Sequence, residues 1–230
     1  MNYIIDNTNK DELVSLKDKL ETIQKANNMK GGLMSGLSHL KSSIYDWNVE
    51  KGWGVDNRFI KVARDSTNNE ILGGVFWSFT KTGNRHGTLR HIFLLEEARG
   101  KGVAKGLYDY WLIHLLENGI RRARMFANKP SKDWHLKRGM RFIAYNKSKQ
   151  PFTYLPLFEV DNMKELGKKY DEVGPEKCIE MVMPEVEKQV NKLLVKGGSW
   201  IDDKEFQEMW GTKFDAEKFI NNKNGATLPI

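Results

Sequence analysis

Residues 94–107 read LLEEARGKGVAKGL, with Gly100 and Gly102 set among Arg99, Lys101 and Val103 where an apolar run gives way to an apolar helical pattern. Inside a helix, glycine costs about 1 kcal/mol relative to alanine. Two glycines at a strand-to-helix junction therefore point to backbone that must approach something closely. The first amides of a helix are unpaired and carry partial positive charge, so a phosphate is the natural partner. Gly100 and Gly102 remove the Cβ atoms that would hold a pyrophosphate away. Val103 and Ala104 open a helix whose dipole faces the anion, and Arg99 and Lys101 add charge. Other residue types that do chemistry are less telling. His114 lies in an apolar helical pattern and reads as core, as do Trp53, Trp77 and Trp111. His39 and His86 have no partner at ligand spacing, so no metal site is expected.

Hydrophobic periodicity outlines the elements that must position this turn. Leu13, Leu16, Leu20 and Ile23 mark a first helix, broken at Gly31-Gly32. Leu37, Leu40, Ile44 and Trp47 mark a second, starting near Ser35 and ending by Gly52 or Gly54. Three strands follow, Phe59 to Ala63, Ile71 to Thr80 and Thr88 to Leu95, separated by turns at 66–69 and 82–87. After the glycine turn, Val103, Leu107, Trp111 and Leu115 share one helical face, widened by Tyr108, Leu112 and Leu116, with Asn118-Gly119 as the stop. Arg122 to Ala127 reads as a short strand, and Ser131 as the cap of a short helix ending at Gly139. Phe142 to Tyr145 and Phe152 to Phe158 read as a hairpin around 146–150. Beyond Glu159 the chain becomes polar and helical, with one helix from Pro184 to Lys196, a stop at Gly197-Gly198 and another helix from Asp202 to Trp210. Leu193, Leu194, Trp200, Phe206 and Trp210 make this segment too apolar for a free tail.

With 230 residues the chain holds one large domain, or a compact domain with an appendage. No apolar stretch approaches the roughly 18 residues of a membrane span. The beginning, MNYIIDNTNKDEL, turns polar and acidic too early for a secretory signal. Cys178 is the only cysteine, so no internal disulfide forms. A cytoplasmic protein without a membrane partner is expected. The formal net charge of +7 suits a polyanionic ligand or a nucleic acid, and equally a solvated basic surface.

The order helix, helix, three strands, glycine turn, helix, strand, helix, hairpin resembles the GNAT superfamily of acyl-CoA-dependent N-acyltransferases. Arg99, Gly102 and Ala104 occupy the fixed places of that family's Arg/Gln-x-x-Gly-x-Gly/Ala signature. Asn128, Ser131, His135 and Gly139-Met140 stand at the spacing of its downstream Asn, small residue, Tyr and Gly-Phe, and Leu72-Gly73-Gly74 resembles its third strand. The resemblance covers residues 1–158 and is strongest over 88–145. It implies an α+β fold, with a mixed, largely antiparallel sheet flanked by helices. Residues 1–158 would be the acyltransferase domain and 159–230 a helical extension packed on it.

The same resemblance implies acetyl-CoA as cosubstrate and no metal. Coenzyme A would lie between splayed fourth and fifth strands. Main chain around Leu94 and Leu95 would hold the pantetheine arm and Arg99 to Ala104 the pyrophosphate, with Asn128 and Ser131 on the other side. The implied reaction is direct attack by a neutral primary amine on the thioester. It needs a base, an oxyanion donor (a backbone N–H near Leu94) and an acid for the departing thiolate. His91, Glu96 and Glu97 are near enough in sequence to act as the base through water, while the two glutamates equally fit solvated turn residues. His135 stands where the family's Tyr meets the sulfur and is the candidate acid. Because it departs from Tyr, a catalytically silent acyl-CoA-binding or nucleic-acid-binding module remains an alternative. The acceptor is open among a small metabolite, a protein amine and a nucleobase amine. Arg121, Arg122, Arg124, Lys129, Lys132, Lys137, Arg138, Arg141, Lys147 and Lys149 face only Asp133 over their interval. They suit the coenzyme's ribose phosphate, a solvated rim or a nucleic acid, which keeps a nucleic-acid-modifying acyltransferase open. Oligomeric state is not encoded in any motif.

Overall fold

The computed structural model describes residues 2–26, 37–48, 57–80, 85–128, 131–137, 140 and 142–201. The expectations that fall on Gly31-Gly32, Ser35, Gly52, Trp53, Gly54, Thr82, Lys129, Arg138, Gly139, Arg141, the side chains of Trp47 and Lys137, and the helix from Asp202 to Trp210 lie outside the described residues. The described residues fall into two compact units, one made of those within 2–80 and 89–111, the other of those within 85–88 and 112–201. Among the described residues, eight strands, mostly antiparallel, and six helices make a mixed α/β fold of the expected class.

In the first unit, β1 (Tyr3–Asp6), β2 (Asn57–Asp65), β3 (Ile71–Phe79) and β4 (Gly87–Leu94) are hydrogen-bonded in that order. β1 pairs antiparallel with β2, from Tyr3↔Asp65 to Asp6↔Val62, and β2 antiparallel with β3. Helix α1 (Lys10–Ala26) begins at Asn9, whose Oδ1 accepts from the Glu12 amide at 2.9 Å, and Asp11 and Glu12 complement its dipole. Its apolar stripe, Leu13 and Leu20 with Leu16, meets Leu37, Leu40 and Ile44 of α2 (Leu37–Asn48). Both pack on Ile60, Val62, Ile71, Phe76, Phe93 and Leu95 of the sheet. Arg64, nearly fully buried on β2, ties the start of α1 to that sheet. Its guanidinium bonds Glu12 at 2.8 Å and the Asn7 carbonyl at 3.0 Å. That contact holds the Glu12 carboxyl below its ordinary pKa.

The second unit starts with the first residues of β4, where Gly87 and Thr88 pair in parallel with Ala123 and Arg124 of β5 (Arg122–Phe126). From β5 the order runs to β7 (Pro151–Pro156), β6 (Ala144–Tyr145) and β8 (Ser199–Trp200), all antiparallel. Helix α5 (Met163–Val173) opens on a capping box: the Asn162 side chain accepts from the Lys164 and Glu165 amides, and Glu165 returns a bond from Asp161 N–H. Gly174, at φ 81°, ends it and leads into α6 (Pro175–Val195). Pro184 was expected to start a helix and instead lies inside α6. An interior proline costs about 3 kcal/mol. Val182, Val186 and Val190 continue one buried face across it, onto Ile143, Ala144, Phe152 and Tyr154, while the proline ring stays exposed on the outside. Among the described residues no helix is long and apolar enough to cross a membrane.

One close approach positions the site. A Cβ on Gly73 would lie 2.5 Å from the Phe93 carbonyl oxygen and 2.7 Å from Leu94 Cδ2, so β3 meets the end of β4 only without a side chain there. Gly73→Ala should therefore lower stability by about 1–3 kcal/mol, the usual cost of overpacking a tight contact. Thermal melts of the two proteins check this, and an unchanged midpoint would mean that the two strands can part without cost.

Candidate active site

The glycine turn sits where its sequence placed it. A single 3-10 turn, Glu96–Ala98, follows β4, and α3 (Val103–Glu117) starts four residues after Arg99. Gly100 has φ 70° and Gly102 φ 80°, a left-handed backbone that β-carbons disfavour. The Gly102 carbonyl accepts the Gly106 amide at 3.1 Å and so closes the first turn of α3. The amides of Val103, Ala104 and Lys105 head the helix, where no intrahelical acceptor exists. Arg99, Gly100 and Lys101 are exposed, while Val103, Leu107, Tyr108 and Trp111 are fully buried and anchor the helix behind them. The turn is also held from β1. The Tyr3 ring lies against Gly106, with its hydroxyl 3.5 Å from the Gly102 carbonyl. Burial, with the Asp109 charge, pushes the Tyr3 hydroxyl up to about 12, so it stays protonated. Sequence reasoning did not include Tyr3, and nothing local marks it.

Backbone accounting separates the two leucines ahead of the turn. The Leu95 amide donates to the Leu72 carbonyl at 2.9 Å, and its carbonyl accepts from Ala98 at 3.1 Å. Leu95 is extended, at φ −73° and ψ 155°. Successive amides of an extended chain point to opposite edges, so the Leu94 amide points away from β3. Leu94, not Leu95, is the donor that β4 offers on that edge.

Of the proposed bases, Glu96 and Glu97 are exposed on the 3-10 turn. His91 is different. Its Nε2 lies 3.0 Å from Asp46 Oδ2 of α2, with the two side chains only 20% and 17% exposed. The ring stacks on Phe76 at 6.1 Å between centroids, and His39 lies 6.0 Å away. Burial holds the imidazole below its ordinary pKa; Asp46 opposes that shift and Arg90 adds to it. His39 is likewise lowered, by burial and then by His91. Asp46 was missed in the sequence, although His39 and Asp46 stand seven apart on one helix, two turns along the same face.

The downstream residues belong to the second unit. Asn128 is exposed; its side-chain oxygen accepts from Gln150 at 2.9 Å, and its carbonyl accepts from both the amide and the hydroxyl of Ser131. His135 lies on α4 (Lys132–Lys137), only 6% exposed and edge-on to Trp134 at 4.8 Å. Three cations of the basic interval are engaged: Arg121 with Glu159, Arg122 with Glu185 at 3.5 Å, and Arg124 with the Thr88 hydroxyl at 2.7 Å. Lys147 and Lys149 are exposed.

Residues 34–140 match the model of the acetyltransferase (GNAT) family. No curated protein matches the sequence. Among solved structures, an acetyltransferase assigned to the GNAT family from Desulfovibrio desulfuricans is similar over 67% of this chain and 99% of its own, with a TM-score of 0.50 at 8% identity. An acetyltransferase from Thermus thermophilus aligns over 68% and 98%, with a TM-score of 0.49 at 13% identity. The PaiA N-acetyltransferase of Thermoplasma acidophilum, solved in complex with coenzyme A, aligns over 67% and 98%, with a TM-score of 0.44 at 14% identity. At such identities the likeness speaks for the fold alone.

A Cβ on Gly106 would meet the Tyr3 hydroxyl at 2.2 Å and its ring at 3.1 Å. Gly106→Ala should therefore destabilise the protein by about 1–3 kcal/mol despite the better helix propensity of alanine. Adding Tyr3→Phe removes the oxygen and should restore most of the loss. Denaturant titrations of the four proteins in this cycle check it, and simple additivity would show that Tyr3 does not press on the turn.

Proposed function

We propose that this chain, whose residues 34–140 match the GNAT acetyltransferase family model, moves an acetyl group from acetyl-CoA to a primary amine by direct attack. The family match and the fold support acyl-CoA-dependent acetyl transfer; the amine is our reading of what the site can do. The observation that carries it is the turn at 99–104. Two left-handed glycines lead directly into the first amides of a helix, with Arg99 and Lys101 exposed beside them. Such a turn would cradle a pyrophosphate, because the glycines leave no Cβ beside the first amides of the helix. Val103 and Ala104 would supply the converging amides. The Leu94 amide would serve the pantetheine arm or the thioester oxygen, where a donor aimed at developing charge is worth most. Asn128 and Ser131 are kept as further coenzyme contacts on the strength of the resemblance.

When bound, acetyl-CoA supplies the activated acyl group. The chain has to take a proton from the acceptor ammonium, steady the oxyanion and return a proton to the sulfur. We assign the first task to His91 in preference to Glu96, because a half-buried imidazole held below its usual pKa is a neutral base near physiological pH. His135 is assigned the last. The ties of Arg121, Arg122 and Arg124 to neighbouring groups support reading the basic interval as structural, so a metabolite or protein amine is the preferred acceptor over a nucleobase.

Gly102→Glu puts a side chain on left-handed backbone and a negative charge at the anion site. Calorimetry should show coenzyme A affinity falling by at least about 10²-fold, with the circular dichroism spectrum unchanged. Equal affinity would remove this turn from the coenzyme site. If His135 protonates the leaving thiolate, His135→Ala should lower kcat by roughly 10²-fold with little change in the KM for acetyl-CoA. An unchanged kcat would reduce His135 to a packing partner of Trp134.

A further inference from the structure

Three titratable side chains gather on one side of the first unit, and the turn chemistry uses only one of them. Asp46 and His39 project from α2 and His91 from β4, beside Phe76 of β3. We propose that Asp46 is a positioning residue for His91: its carboxylate holds the imidazole by Nε2–H, so that the Nδ1 lone pair is presented to the incoming amine as proton acceptor. This rests on the acetyl-transfer reading above.

The tautomer follows from the geometry. An ionised carboxylate can only accept, so the nitrogen 3.0 Å from Asp46 Oδ2 must carry the proton, and the other nitrogen of a neutral ring must carry the lone pair. Stacking on Phe76, with planes 6° apart, limits rotation of the ring. Asp46 is itself fixed, because its carbonyl accepts from Arg58 at 3.1 Å and the end of α2 is thereby tied to β2. Among the described residues, the charged and titratable groups around His91 are then Asp46 and His39 from α2 and Arg90 on its own strand, with Arg58 of β2 on the Asp46 carbonyl. Burial first, and then Arg90, disfavours a positive charge on the ring, and Asp46 favours it. This opposition leaves a ring that is neutral at rest and able to take a proton beside a carboxylate.

The step balances without another reactant. R–NH3+ gives one proton to His91 Nδ1, and the amine lone pair forms the C–N bond as the carbonyl π pair moves onto oxygen. Collapse re-forms the carbonyl and breaks C–S. The second amine proton ends on the coenzyme sulfur, and His91 releases its proton to solvent.

Imidazole nitrogen-15 spectra of the full chain test the proposal, with the His91 signals assigned through His91→Gln. The expected result is a neutral Nε2–H tautomer with a titration midpoint below the ordinary histidine value. Asp46→Asn should mix the tautomers and lower the midpoint further, since the carboxylate raises it, and Asp46→Glu should restore both. With butylamine as probe acceptor, Asp46→Asn should lower kcat by at least about 10-fold while the KM for acetyl-CoA holds. A His91 tautomer and midpoint indifferent to Asp46→Asn would overturn the proposal, as would an unchanged kcat and pH profile. Calorimetry with coenzyme A keeps the two readings apart. A wild-type protein that fails to bind it removes the acetyl-transfer reading, whatever the spectra show.

Discussion

Leu72 accepts the Leu95 amide, and that hydrogen bond sets the direction of the backbone groups at the end of β4. Amides of an extended chain alternate between its two edges. Once Leu95 is spent on β3, Leu94 must face the other way, and the strand presents a donor just before the turn that would hold a pyrophosphate. The bond forms only because β3 carries Gly73, where a methyl group would run into the Phe93 carbonyl. Bare backbone on β3 thus fixes the backbone of β4, and β4 hands over to bare backbone again at Gly100 and Gly102.

Glycine turns of this kind are weak by themselves, because each glycine has more freedom to lose on folding than any other residue. Here the cost is met from α3. Val103, Leu107, Tyr108 and Trp111 are fully buried, and each large apolar side chain contributes roughly 1.5–3 kcal/mol on leaving water. That burial exceeds the penalty of about 1 kcal/mol per glycine, so the helix start is anchored from behind. Tyr3 adds a brace from β1, and Gly106 is the small residue that lets its ring come close.

A polar cluster on the face that packs α1 and α2 needs its own justification. His91 and Asp46 sit beside Phe76, in surroundings that penalise charge, and they persist there because each supplies the other's hydrogen bond. Half-burial leaves His91 below its ordinary pKa without removing it from solvent. A neutral imidazole in that state is suited to taking a proton, whereas Glu96 and Glu97 lie exposed on their turn.

Features generated within a few residues were legible in the sequence. The glycine turn, the α1 and α3 stripes, the three central strands and the hairpin all rest on local spacing and turn chemistry, which tertiary packing reinforced. β1 and β8 were not legible, because strands of four and two residues carry too little alternation to register. The start of α6 was misplaced because a proline reads locally as a boundary, and only the valines packed on Ile143 and Phe152 carry the helix through it. Which amide of β4 points outward depended on a partner on β3. The Asp46–His91 pair spans 45 residues and the Tyr3–Gly102 contact 99. No local pattern encodes such distances; the folded core brings those chain segments together, and side-chain chemistry then selects which groups can bond. The sequence by itself determined where a bare, left-handed turn would form ahead of a helix, because that backbone is a property of glycine. The tertiary structure alone decided which imidazole would have a carboxylate beside it, because that pairing exists only once α2 has packed against β4.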